Sequence, residues 1–86
     1  MIYLGETGLN KTWQTAFPKA TRCVHCGKVA RIGFVYCEEA DSANKEFVCQ
    51  LHDNGKKDKL WLHDAVAVAV YFCEGCLKAT ALYNQA

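Results

Sequence analysis

The chain has one proline, one methionine and no excess of charge of either sign. Ten Lys and Arg stand against nine Asp and Glu, a formal net charge of +1 over 86 residues. That balance lacks the positive footprint of an obligate nucleic-acid binder, so non-specific DNA binding is disfavoured. Long apolar runs are missing as well. The longest, Ala65 to Cys73, is closed on one side by Asp64 and is far too short to cross about 30 Å of hydrocarbon, which excludes a membrane-spanning helix. Met1 to Thr7 contains no basic stretch followed by an apolar one, so no secretory signal is expected and a reducing cytoplasm is the expected compartment. What the chain does have is an apolar share of 51% with 22% charge, the balance of a folded globular chain, and six cysteines. At this length it holds one core.

Along the chain, residues 1–21 carry Trp13 and Phe17 among small and polar residues, with Gly5, Gly8 and Pro18 as breakers. They read as an N-terminal arm whose two aromatics anchor it to a domain spanning 22–86. Val29 to Glu38 is rich in branched and aromatic residues and predicts a strand. After a polar turn at 39–45, Glu46 to Leu51 predicts a second strand, and the two form a hairpin in which Cys37 faces Cys49 and Val35 faces Leu51. Asp53 to Lys59 contains Asn-Gly and is a solvated loop. Asp64 to Phe72 alternates alanine and valine at period two, which favours a third strand over a helix. Glu74 to Gln85 is mostly helix formers, with Leu77 and Ala81 one turn apart, and predicts a C-terminal helix.

The chemistry is concentrated in two cysteine pairs, Cys23-Val24-His25-Cys26-Gly27-Lys28 and Cys73-Glu74-Gly75-Cys76. A spacing of two lets a tight turn aim both thiolates at one ion, and Gly27 or Gly75 frees the backbone where amides approach sulfur. Together they make a four-thiolate set, which suits a closed structural Zn²⁺ site with no position left for water. Iron in a rubredoxin-like electron carrier uses the same ligands. Buried thiols or two disulfides are the bland alternative.

A knuckle, a hairpin and a helix donating the last two ligands resemble the treble-clef class of zinc fingers. Tyr71-Phe72-Cys73-Glu74-Gly75-Cys76-Leu77 is similar to the ligand pair of GATA-type fingers, and with Cys23-Val24-His25-Cys26-Gly27-Lys28 it is also similar to the zinc-binding domain of the Clp-type unfoldase regulatory subunit. The 46 residues between Cys26 and Cys73 exceed the usual family spacing, and the basic residues that follow the second pair in GATA-type fingers are absent. The resemblance implies adaptor or dimerisation roles. A zinc ribbon, in which the second pair tips another hairpin, is the alternative fold. Cys37, Cys49, His52 and His63 can be written as a second metal site, giving two Zn²⁺ per chain, or as two core thiols and two loop histidines. His25, between two ligands, is expected to point to solvent.

Machinery for catalysis is lacking. There is no phosphate-cradling glycine loop, no Gly-x-Ser-x-Gly, no His-Glu-x-x-His and no deaminase motif. Asp53, Asp58 and Asp64 belong to the polar loop. Lys56, Lys57 and Lys59, with Lys45, Lys28 and Arg31, are a solvated set or a phosphate-facing one. The expectation is a small α+β zinc-binding domain, treble-clef-like, with a hairpin or three-stranded sheet and a C-terminal helix. It would be non-enzymatic, with Cys23, Cys26, Cys73 and Cys76 on one Zn²⁺ and with a protein partner, including a second copy of itself. The alternative is a nucleic-acid-binding finger. No membrane partner is expected.

Overall fold

The computed structural model describes residues 1–38, 47–51 and 65–85. Five strands are joined in one antiparallel sheet: β1 (Ile2–Leu4), β2 (Ala20–Arg22), β3 (Val29–Cys37), β4 (Val66–Cys73) and β5 (Ala79–Gln85). The order is β1-β3-β4-β5. β1 and β2 lie one after the other on the same side of β3, β1 opposite Phe34–Tyr36 and β2 opposite Val29–Arg31. Two single 3-10 turns, Gly5–Gly8 and Val48–Gln50, complete the elements.

Two expected elements are overturned. Residues 79–85 form β5, paired along β4 from Phe72↔Ala79 to Val66↔Gln85, so the α+β, treble-clef reading fails for want of its C-terminal helix. No α-helix occurs among the described residues. The cause is tertiary: helix propensity is a few tenths of a kcal/mol per residue, and β4 offers a complete ladder with one buried face. Thr80 and Leu82 turn to that face while Ala79, Ala81 and Tyr83 turn away, a period of two that the Leu77–Ala81 spacing concealed. The expected 46–51 hairpin strand is also overturned over its described residues, 47–51. Val48–Gln50 is a 3-10 turn, and β3 pairs with β4 instead, Cys37 opposite Ala67 rather than Cys49. The valine–alanine alternation of 66–72 is a strand, as its period indicates.

The sheet's covered face carries Ala30, Val35, Cys37, Ala67, Ala69, Tyr71 and Cys73, packed beneath Leu9 and Phe17. Small residues in the central strands let the 5–19 segment lie close to the sheet. Gly8 shows how close: a Cβ there would sit 2.6 Å from the Tyr3 Cβ and 2.8 Å from the Val35 Cβ. Of the two expected anchors Phe17 is buried, whereas Trp13 stays half exposed. The Tyr71 hydroxyl, buried below the sheet, donates to the Pro18 carbonyl at 2.7 Å and ties the segment down. Burial also pushes the Tyr71 phenol above its ordinary pKa. Asn84 on β5 donates to the Thr12 hydroxyl and the Thr15 carbonyl, fixing the same segment from the other edge.

On the opposite face, two cross-strand rows run the width of the sheet: Ile2–Tyr36–Val68–Tyr83 and Leu4–Phe34–Val70–Ala81. Beyond them Phe72 lies over Gly33, where the β3–β4 register shifts and a Cβ would collide with the Phe72 ring.

Candidate metal centre

Each cysteine pair sits in a turn that leads into a strand, Cys23–Cys26 between β2 and β3 and Cys73–Cys76 between β4 and β5. The second pair therefore tips a hairpin, the feature that distinguished the ribbon alternative. The pairing Ala30↔Cys73 aligns the two turns at one end of the sheet. There the four sulfur atoms lie within 4.8 Å of one another. Across the gap Cys23 Sγ is 3.6 Å from Cys76 Sγ, and Cys26 Sγ is 3.4 Å from Cys73 Sγ.

The two turns are built alike. The Cys23 amide donates to the Lys28 carbonyl at 2.7 Å, and the Cys73 amide to the Lys78 carbonyl at 3.0 Å. In return the Gly27 amide reaches the Cys23 carbonyl at 2.9 Å, and the Leu77 amide the Cys73 carbonyl at 3.1 Å. The amide two residues after each first cysteine points at its sulfur, His25 N to Cys23 Sγ at 3.4 Å and Gly75 N to Cys73 Sγ at 3.3 Å. Such N–H···S contacts stabilise a thiolate over a thiol. The first turn is also fastened to the start of β5: the Val24 amide donates to the buried Thr80 hydroxyl at 3.1 Å, and the His25 ring Nε2 meets the Ala79 carbonyl at 3.0 Å. His25 is exposed, as expected, with its ring edge against the first residue of β5. Lys28 packs its stem over Gly75, where a Cβ would come within 2.8 Å of it.

The electrostatics follow. Burial pushes the Cys23 thiol up, but the His25 and Cys26 amides and then the Cys76 and Cys26 thiols outweigh it and bring it down to about 6. Cys73 is lowered too, with the Cys76 amide leading against burial. Cys76 moves oppositely: the Lys78 amide lowers it, yet burial and hydrogen bonds to the Cys23, Cys73 and Cys26 sulfurs carry it up to about 11. Four sulfurs this close cannot all ionise unaided, so Cys76 retains a proton that a cation can replace.

The donor set fits a metal. A tetrahedral ion with metal–sulfur bonds of about 2.3 Å spaces its sulfurs by about 3.8 Å, close to the two cross-turn separations. None of the six cysteines is in a disulfide, which sets aside the two-disulfide alternative. This is the sole such cluster among the described residues. Cys37 is not part of it: seven residues along β3 from Ala30, on the order of 20 Å at strand rise, its buried sulfhydryl contacts the Glu38 carbonyl at 3.8 Å. Cys49 is half-buried in the Val48–Gln50 turn. His52 and His63, the other members of the second-site reading, lie outside the described residues, as do Lys45, Asp53, Lys56, Lys57, Asp58, Lys59, Trp61 and Asp64.

Two participants escape the sequence reading, Thr80 and the left-handed Leu77. The signal for both is a shared Cys-x-x-Cys-x-Lys, 23–28 and 73–78, after which each chain segment starts a strand six residues past its first cysteine. No family model, curated protein or solved structure matches the chain, and what it shares with a zinc-finger-like site is these two turns and the four sulfurs they bring together.

Proposed function

We propose that the chain is a structural zinc module in which Cys23, Cys26, Cys73 and Cys76 hold one Zn²⁺ and the rigid sheet behind them serves protein–protein recognition in the cytoplasm. The observation that carries it is the convergence of four sulfurs from two matching turns, with backbone amides already directed at two of them. A four-thiolate set fills the coordination shell, so the ion's contribution is to join the turns rather than to activate water. A structural rather than catalytic role follows from that donor chemistry.

Elemental analysis with native mass spectrometry tests the reading. One zinc per chain is expected, lost on Cys73→Ser and retained on Cys37→Ser. Two zincs per chain would revive the second site. A visible thiolate-to-iron band with iron in place of zinc would move the chain to electron transfer.

A further inference from the structure

We propose that the open face of the sheet is a self-association surface and that its occupant is a second copy of this chain, packed face to face about a two-fold axis. This deepens the interaction role above and rests on reading the chain as a recognition module, but its ground is the sheet face and not the metal.

Ile2, Leu4, Phe72 and Tyr83 project from this face and are 60%, 74%, 47% and 56% exposed. Side chains of this size offer about 200 Å² each, so these four alone leave on the order of 500 Å² of largely apolar surface in one patch. The largest patch on an ordinary monomer is roughly 300–600 Å² and is often functional. Partly exposed residues of the same rows, Phe34 and Val70 among them, extend the patch towards the roughly 800 Å² per partner that a stable interface covers.

Its form selects the occupant. The rows run across four strands with branched and aromatic residues facing outward, the make-up of an inner face in a two-layer sandwich. Among the described residues the 5–19 segment supplies the second layer on the other face, while this face is covered only at its Glu38–Val66 end, where the Val48–Gln50 turn is bonded to Glu38. Charge points the same way. At the metal end the face presents both signs, Arg22 and Arg31 against Glu74, with Arg31 Nε 2.7 Å from Glu74 Oε1 beside Phe72. A two-fold axis can set each sign against its opposite, whereas a strongly acidic or basic partner would meet a repulsive group either way. A net charge of +1 leaves two copies little mutual repulsion.

Sedimentation equilibrium of the zinc-loaded full chain tests this, beside Leu4→Lys and Tyr83→Lys. Both side chains are exposed, so neither change should disturb the monomer. A wild-type dimer at micromolar concentration is expected, with self-association weakened by about 30-fold or more in each variant and with metal content and circular dichroism unchanged. A wild-type monomer at near-millimolar concentration overturns the inference, as does a dimer that both variants keep, or polydisperse aggregate in place of a dimer. Should the variants misfold, mixed labelled and unlabelled wild-type chains decide: contacts between Leu4 methyls of one chain and aromatic rings of the other support it, and their absence overturns it. A zinc-loaded monomer sinks this inference alone, and a metal-free dimer disrupted at this face sinks the zinc reading alone.

Discussion

Gly27 and Leu77 hold the same place in the two cysteine turns. Each follows the second cysteine, each returns its amide to the carbonyl of the first, and each has a left-handed backbone, φ +80° and +60°. Only one is a glycine. A side chain in that region costs about 1–2 kcal/mol, which the second turn tolerates because the ladder on either side of it fixes the conformation.

Replacing Leu77 by glycine is therefore expected to stabilise the domain by about 0.5–1 kcal/mol, the strain relief less the entropy glycine adds to the unfolded chain. Little burial is lost, since Leu77 is 84% exposed. The reverse change, Gly27→Ala, meets nothing within 4 Å and should cost about 1 kcal/mol through φ alone. Urea midpoints at saturating zinc check both. A less stable Leu77→Gly would show that the exposed leucine has a contact worth more than its strain.

At the far end of the sheet a second device operates. Glu38 is buried, and its carboxylate accepts the Val66 amide at 2.9 Å on one oxygen and the Val48 amide at 2.8 Å on the other. It clamps the 3-10 turn to the start of β4. Glu38→Ala leaves two amides without acceptors and is expected to cost about 2–4 kcal/mol. Glu38→Gln keeps one acceptor and should cost less. Denaturant unfolding measures the difference. Neither variant should change the metal count, because Ala67↔Cys37 and Ala30↔Cys73 mark opposite ends of the β3–β4 ladder.

How far the fold was legible follows the same division. The clustering of Cys23, Cys26, Cys73 and Cys76 was readable because cysteine pairing is a local rule: two residues of spacing and a turn suffice to bring each pair together. The strands at 29–37 and 66–73 were readable because alanine–valine alternation and branched residues carry their own period. β5 was not, since Lys78 to Leu82 suits a helix locally and becomes a strand only beside β4. The 46–51 segment was not, because what decides it is a carboxylate ten residues before Val48 and the prior claim of β4 on the edge of β3. Both misses are non-local. A comparison of Gly27-Lys28-Val29 with Leu77-Lys78-Ala79 as parallel exits from like turns was the one sequence signal for β5.

Two glycines separate rigid from yielding neighbours. A Cβ at Gly8 would meet the Cβ atoms of Tyr3 and Val35, which belong to paired strands and cannot retreat, so Gly8→Ala is expected to cost about 1–3 kcal/mol. At Gly33 the nearest obstacle is the Phe72 ring, the far end of a side chain on the open face, with the Val70 carbonyl oxygen at 3.3 Å behind it, and Gly33→Ala should cost about 1 kcal/mol, less than Gly8→Ala, as the ring swings aside. Thermal melts of the two variants give the ranking. Equal losses would mean that the Phe72 ring is held as firmly as the core.

Metal removal is the most demanding test of how the domain is held. The covered face is built largely from alanine, valine and cysteine, with Tyr71 its one fully buried large side chain. Burying such small groups yields about 0.8 kcal/mol per methylene, while ordering costs on the order of 1.5 kcal/mol per residue, so at this length the two nearly cancel. A structural zinc contributes about 10–16 kcal/mol in finger peptides. Here it would join two turns otherwise linked by the Val24–Thr80 and His25–Ala79 contacts to the start of β5 and by the Lys28 stem over Gly75. A strong chelator is expected to unfold the chain cooperatively, with the sheet's circular dichroism lost in step with zinc release. Cys76→Ser should mimic this at zinc concentrations that saturate the wild type, and Cys37→Ser should not. A melt unchanged by chelator would mean that the sheet stands on its core and strand pairing alone, with the four sulfurs an accessory to a fold already made.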